Sequence, residues 1–224
     1  MGQFRGFGPK ALGFFKALKF HQTKTWFDGN KALYQSDVLD PMIALLDDLT
    51  TVFAKKRIPL KGEGKRSIFR IHRDVRFARD KSPYKTHAGA IMTRSGEKMD
   101  PGCLYIHIAP EGCFAAAGFH MPEADALARM RMAIRAHPAK FKALIAALKK
   151  GGLTFSDYDQ LTRVPRGFEE FKGGPLEGAI RLKSLIVEES LAAKLIATPK
   201  LADALVDFTV RAKPLLTFGW QALE

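Results

Sequence analysis

CLYIHIAPEGCFAAAGFH, residues 103–120, holds two strands and the turn between them. Leu104, Ile106 and Ile108 alternate with Tyr105 and His107, a period of two that places aliphatic side chains on one strand face and a phenol and an imidazole on the other. Pro110, Glu111 and Gly112 supply a tight turn, and the small, β-tolerant run Cys113–His120 returns beside the first strand. Upstream, His87–Thr93 has the same character and is set off by Ser95-Gly96 and Asp100-Pro101-Gly102. These loops are too short for a crossover helix, so the strands pair as an antiparallel meander. The alternation of Phe69 and Ile71 against Ile68, Arg70 and His72 predicts a further strand from Ser67, giving a central sheet over 67–120.

Helical spacing dominates on either side. Leu12, Phe15 and Leu18 mark a first helix, and Thr23 caps a second that carries Trp26, Phe27, Asn30 and Leu33 to Tyr34. In the third helix, Asp40 is the expected cap, Pro41 suits the first turn, and Leu45, Leu46, Leu49, Val52 and Phe53 form the buried face. N-terminal helices therefore occupy 10–56. After Pro122, Leu127, Met130 and Ile134 make one stripe; after Pro138, Phe141, Leu144, Ile145 and Leu148 make another that ends at Gly151-Gly152. Ala179–Val187 reads as one more strand and Lys200–Lys213 as the last helix, so 122–213 holds the C-terminal helices. The predicted class is α+β, a single domain over 1–224 with an antiparallel meander sheet covered by N-terminal and C-terminal helices.

The chain has 224 residues, 46% of them hydrophobic and 10% aromatic, enough for a sizeable core and far from disordered or collagen-like composition. Charged residues break every apolar run before the ~18–20 residues of a membrane span, so a soluble protein with no membrane association is expected. Cys103 and Cys113 are the only cysteines; they offer no CxxC pair, and a reducing, cytoplasmic setting is the simpler expectation. Gly2 follows Met1, but Gly6 stands where a myristoylation start requires Ser or Thr, so lipidation is set aside. No HExxH, paired CxxC or EF-hand loop is present, and neither a metal site nor a cofactor is expected.

The formal net charge is +13, and it is unevenly placed: residues 55–100 hold 14 Lys or Arg against 5 Asp or Glu. Arg70, His72, Arg73, Arg76, Arg79, Lys81, Lys85 and His87 crowd a predicted strand end and the loop after it, interleaved with Phe77 and Tyr84. Guanidinium forks favour phosphate and carboxylate partners, and several together repel one another unless an anion intervenes. That predicts an anionic small-molecule site formed by Arg70, Arg73, Arg76, Lys81, Tyr84 and Lys85. Asp74 and Asp80 lie within the cluster and open the alternative of an internal salt-bridge lattice. Arg166, near Pro165 and Gly167, is a candidate second anion contact. Gly62–Ser67 lacks the spacing of a phosphate loop.

One long run is specific. Residues 68–85, IFRIHRDVRFARDKSPYK, resemble the hallmark stretch of a bacterial and fungal family known as domain of unknown function 2461. Thr25–Lys31 resembles that family's tryptophan-phenylalanine helix, Ala117–Pro122 its glycine-aromatic-proline turn, and Arg163–Phe168 its proline-arginine-glycine motif. The resemblance spans nearly the whole chain and implies one family-length domain. It carries no settled activity, cofactor or catalytic residue.

For chemistry beyond binding, Tyr105 and His107 share one strand face, and Arg70 with His72 is expected on the same side of a neighbouring strand. An imidazole with a pKa near ~6.5 serves as a general acid or base, which makes His107, His72 and Tyr105 the catalytic candidates, each weighed against a structural role; whether the protein is an enzyme stays open at this level. Two alternatives to the small-anion reading remain. One is a non-specific nucleic-acid-binding module, favoured by bases interleaved with Phe77 and Tyr84. The other is a structural protein that docks an acidic partner.

Overall fold

The structure, a computed structural model, describes residues 3–224, so Gly2 lies outside the described residues. The class is α+β, with β1 (Ala88–Thr93), β2 (Cys103–Ile108), β3 (Cys113–Phe119) and β4 (Leu185–Leu191) forming one antiparallel sheet in the order β1-β2-β3-β4. The alternation of residues 104–108 is realised: Leu104, Ile106 and Ile108 are fully buried, while Tyr105 and His107 are half-buried. Among the described residues no helix is long and apolar enough to cross a membrane.

The described residues fall into two compact units. The first takes the residues up to Asp100 with Tyr105–Ala115 and Ser190–Asp207. Its helices are α1 (Ala11–Phe20), α2 (Lys24–Gly29), α3 (Lys31–Tyr34) and α4 (Asp40–Lys55). Phe14 gathers the rings of Phe15, Trp26 and Tyr34 at centroid distances of 5.3, 5.7 and 5.5 Å, a cluster whose mixed edge and tilted geometry suits aromatic quadrupoles. Thr23 caps α2 as expected, its Oγ1 accepting from the Trp26 N–H at 3.3 Å.

The second unit takes Pro101–Leu104, Ala116–Glu189 and Phe208–Glu224. It contains α5 (Ala124–Ala136), α6 (Pro138–Lys150) and α7 (Glu177–Arg181). Phe141 is fully buried, with its ring 4.9 Å from that of Phe218. Two further helices are α8 (Ala193–Ile196) in the first unit and α9 (Lys200–Leu223), whose residues are divided between the units at Asp207 and Phe208.

Four expectations are corrected. The strand from Ser67 is a 3-10 turn, Gly64–Ser67, followed by isolated bridges of Ile68 with Ala90 and His72 with Tyr84, so the regular sheet begins at Ala88. Asp40 is not a cap: a π-helical turn, Gln35–Leu39, runs straight into α4, and the Asp40 carboxylate accepts from the Gln35 side chain instead. The extra residue of that turn frees the Asp37 carbonyl to accept from the Gly8 N–H at 2.9 Å, while the Asp37 carboxylate accepts from the Lys10 N–H at 2.9 Å. The strand expected at Ala179 is the helical turn α7, and β4 begins six residues later. Finally, α9 does not stop at Lys213 but passes through Pro214. The lost N–H costs that helix one bond, yet burial of Leu215, Leu216, Phe218 and Trp220 holds the last turns in place.

Candidate functional site

Ile68, Ile71 and Tyr84 are buried and anchor the basic segment. The Lys85 N–H donates to the Ile71 carbonyl at 2.8 Å and the Arg73 N–H to the Pro83 carbonyl at 2.8 Å, so 71–73 and 83–85 run antiparallel as a short ribbon. The loop between them satisfies itself. Asp80 accepts from the Ser82 Oγ at 2.6 Å and the Ser82 N–H at 2.9 Å, and also from the Arg73 guanidinium. Those donors, Ser82 foremost, hold the Asp80 carboxyl well below the usual carboxylate range. Asp74 takes both ends of the Arg76 fork, Nε at 3.0 Å and Nη2 at 2.7 Å, and its carboxyl is likewise lowered by that guanidinium. The Lys81 Nζ donates to the carbonyl of Val75 at 2.9 Å.

Beside this loop is a recess of about 320 Å³ lined by Lys19, Gln22, Arg73, Asp80, Ser82, Tyr84, Lys85, Thr86 and His87. Of the residues singled out from sequence, Arg73, Tyr84, Lys85 and His87 come together here. Tyr84 is mainly an anchor: its ring stacks on Phe27 at 4.6 Å, and its N–H donates to the Gln22 Oε1 at 2.9 Å. Arg76 and Lys81, expected among the ligand contacts, brace the loop instead and do not line the recess. Arg70 is exposed outside it, but its charge reaches Lys85. Arg166 is an exposed residue of the second unit, in a turn held by Arg135, whose guanidinium donates to the Gly167 carbonyl and lies 4.4 Å from the Phe168 ring.

The sheet face that carries Tyr105 and His107 is built of rings. The Tyr105 hydroxyl and His107 Nδ1 are hydrogen-bonded at 3.1 Å, and His107 stacks on Phe114 of β3 at 4.6 Å and 19°. The phenol lies across β1 because residue 89 is glycine: a Cβ there would sit 2.8 Å from the Tyr105 hydroxyl oxygen. Phe69 meets Tyr105 edge-on at 6.0 Å, and the ammonium groups of Lys85 and Lys98 lie 5.5 and 5.2 Å from the Phe69 ring centre.

His72 is not part of this face. It packs against Tyr84 at 5.1 Å and Phe27 at 5.9 Å. The second imidazole is His87, whose ring centre is 4.5 Å from that of His107. Sequence reasoning put His87 in the basic cluster but not beside His107, although a signal was present: His87 and Ile91 are half-buried and alternate with the buried Ala88, Ala90 and Met92.

Charge on this face is held in tension. Burial pushes the His107 imidazole down to about 4, with a smaller contribution from His87. Burial and the Lys85 ammonium lower His87 as well. Lys85 itself is lowered by burial first, then by Arg70 and Lys98. No carboxylate among the described residues forms an ion pair with Lys85, whereas Lys19 is bridged to Glu111 at 3.0 Å. The arrangement is a positive recess walled by one imidazole, His87, with that of His107 behind it, able to hold an anion and to accept or relay a proton beside it.

A family model described as Conserved hypothetical protein (DUF2461) matches residues 10–218. No curated protein and no solved structure matches the chain.

Proposed function

We propose that this chain, which belongs to the conserved hypothetical protein family DUF2461, binds a small molecule bearing a phosphate or carboxylate in the recess between α1 and the 71–87 segment. Lys85 and Arg73 are the anion contacts, Tyr84 and Gln22 hold the wall, and Arg70 with Lys98 adds positive potential from outside. One observation carries this reading: Lys85 lines a concave site without a carboxylate partner, and burial together with two neighbouring cations disfavours its charge. An incoming anion reverses that penalty, so binding draws on electrostatic strain already present in the free protein. Free thiols at Cys103 and Cys113 fit the reducing, cytoplasmic setting that we propose for it.

Thermal melts in inorganic phosphate, against chloride at matched ionic strength, test this. At ten times its Kd a ligand adds about 1.4 kcal/mol, a rise of about 3–5 °C for a chain of this size. Lys85→Ala is expected to lose the rise, and Arg76→Ala, whose exposed side chain meets Asp74 and Phe77 outside the recess, to keep it. An equal rise in wild type and Lys85→Ala, or none in wild type, rejects the site.

A second reading, non-specific binding of single-stranded nucleic acid, is favoured by Phe77. Its side chain is 95% exposed at the tip of the braced loop, 5.9 Å from the Arg76 guanidinium. Under that reading filter retention falls steeply with salt, and Phe77→Ala weakens it about tenfold by removing a stacking surface. Retention that is insensitive to Phe77 removes this reading. The recess is preferred because Tyr84, the other aromatic of the basic run, is buried and leaves no extended aromatic stripe.

A further inference from the structure

The recess has one wall that charge alone does not explain. His87 lines it and is also the end of a row of rings: His87 faces His107 at 4.5 Å and 31°, and His107 faces Phe114 at 4.6 Å and 19°. Tyr105 fixes the middle of the row through its hydrogen bond to His107 Nδ1 at 3.1 Å. Among the described residues no other aromatic ring lies against His87, so the row stops at the recess. We propose that the bound anion carries a flat aromatic ring, which lies on His87 and continues the row Phe114, His107, His87, while its phosphate or carboxylate meets Lys85 and Arg73.

This rests on the reading of the recess as an anion site and names the class of ligand it takes. Three features support it. The volume, about 320 Å³, is at the lower end of small-molecule sites, which run from ~300 to ~1,000 Å³, and suits one ring system with one acidic group rather than a polymer. The terminal ring is half-buried and packed on one side, the condition in which an added ring gains the most from stacking and removal of water. Both imidazoles are held toward the neutral form, so His87 meets the ligand as a flat, weakly polar surface and leaves the positive charge to Lys85 and Arg73. The charged groups acting on His87 are the Lys85 ammonium and, with opposite sign, Glu111, which is itself bridged to Lys19.

Calorimetric titration of the full chain with phenyl phosphate, inorganic phosphate, benzoate and acetate tests the proposal. The aromatic member of each pair is expected to bind about tenfold tighter than its ring-free counterpart, and the tighter pair tells phosphate from carboxylate. His87→Ala is expected to bring the ratio close to one. In the wild-type protein the ring C–H proton signals of His87 are expected to move upfield with the aromatic ligand and not with the ring-free anion, a readout that does not depend on a variant folding. Equal affinities within both pairs in the wild type, or a ring preference that survives His87→Ala, overturns this inference while the anion site stands. Failure of all four compounds to bind overturns the anion reading and this inference with it.

Discussion

Gly118→Ala is expected to destabilise the protein by more than about 3 kcal/mol, a large fraction of the ~5–15 kcal/mol that holds a native chain together. Gly118 lies on β3 with φ +133°, and a Cβ there would sit 2.1 Å from the Leu185 carbonyl oxygen and 2.9 Å from the Ile186 Cα. These are main-chain atoms of β4, so no rotamer change relieves the overlap; the pairing of β3 with β4 has to open. Gly178→Ala is the control. It lies in α7 with no atom within 4 Å of the added methyl group, and it is expected to leave stability unchanged or raise it slightly. Urea unfolding followed by near-ultraviolet circular dichroism compares the two, and a wild-type midpoint for Gly118→Ala would mean that β3 and β4 do not approach so closely. The glycine of the 117–122 stretch thus has a physical reason for being there. Just beyond it, Met121 at φ +42° donates its N–H to the Ser184 Oγ at 2.9 Å, a second tie within the same unit.

The sheet was legible from its period. Leu104, Ile106 and Ile108 against Tyr105 and His107 located both the buried side of β2 and the two polar rings of the candidate site, because alternation is a direct consequence of strand geometry. The same pattern at 67–73 misleads for a reason visible in the backbone. Phe69 still pairs with Gly89 at 2.8 Å, but the partner chain bends at Thr86 and His87, and Ile71 meets Lys85 instead. A ladder split by a bend also loses the strand's alternation: Ile68 and Ile71, which the period put on opposite sides, are both buried, and Phe69 is half-buried. At 177–191 the ambiguity is one of length: a short apolar run suits a helical turn or a strand equally. Here the Arg131 guanidinium decides it locally, donating to the carbonyls of Ile180 and Leu182 at 2.9 Å each and so satisfying the end of α7.

The basic cluster was legible as composition but not as geometry. Which cation faces a recess and which braces a loop depends on where two aspartates fall. Asp74 is two residues before Arg76 and takes its whole fork away from the recess, whereas Asp80, seven residues beyond Arg73, pairs with it on the recess wall. Lys85 escapes both because it follows Tyr84, whose burial against Phe27 turns the ribbon back toward the sheet. His87 was legible as part of the basic cluster but not as a neighbour of His107, which is twenty residues away in sequence and adjacent only once β1 and β2 pair.

Lowering the pH from 7 to 5 is expected to cost the folded protein about 1–2 kcal/mol through His107 and His87 together, after discounting for the solvent that still reaches these half-buried rings. Both imidazoles have folded-state values below the ordinary 6.5, His107 near 4. The unfolded chain therefore takes up protons in this window and the native chain does not, so stability is full above about pH 6.5 and falls as the pH moves toward 4. Carboxylates such as Asp80 and Asp74, also lowered, add their own loss only nearer pH 4 and below. His107→Phe keeps a ring on Phe114 and removes the titration, so its urea midpoint is expected to change less between pH 7 and 5 by about 1 kcal/mol; an identical loss in the variant would place the effect elsewhere. Linkage then ties this slope to the recess. An anion held at Lys85 favours the protonated form of the adjacent His87, and by reciprocity the affinity for that anion must rise as the pH falls. Sulfate is the suitable probe, since its own charge is constant over this range whereas that of phosphate is not. Tighter sulfate binding at pH 5 than at pH 7, abolished in His87→Leu, is the expected result, and a pH-independent affinity in the wild type would separate the imidazole from the anion.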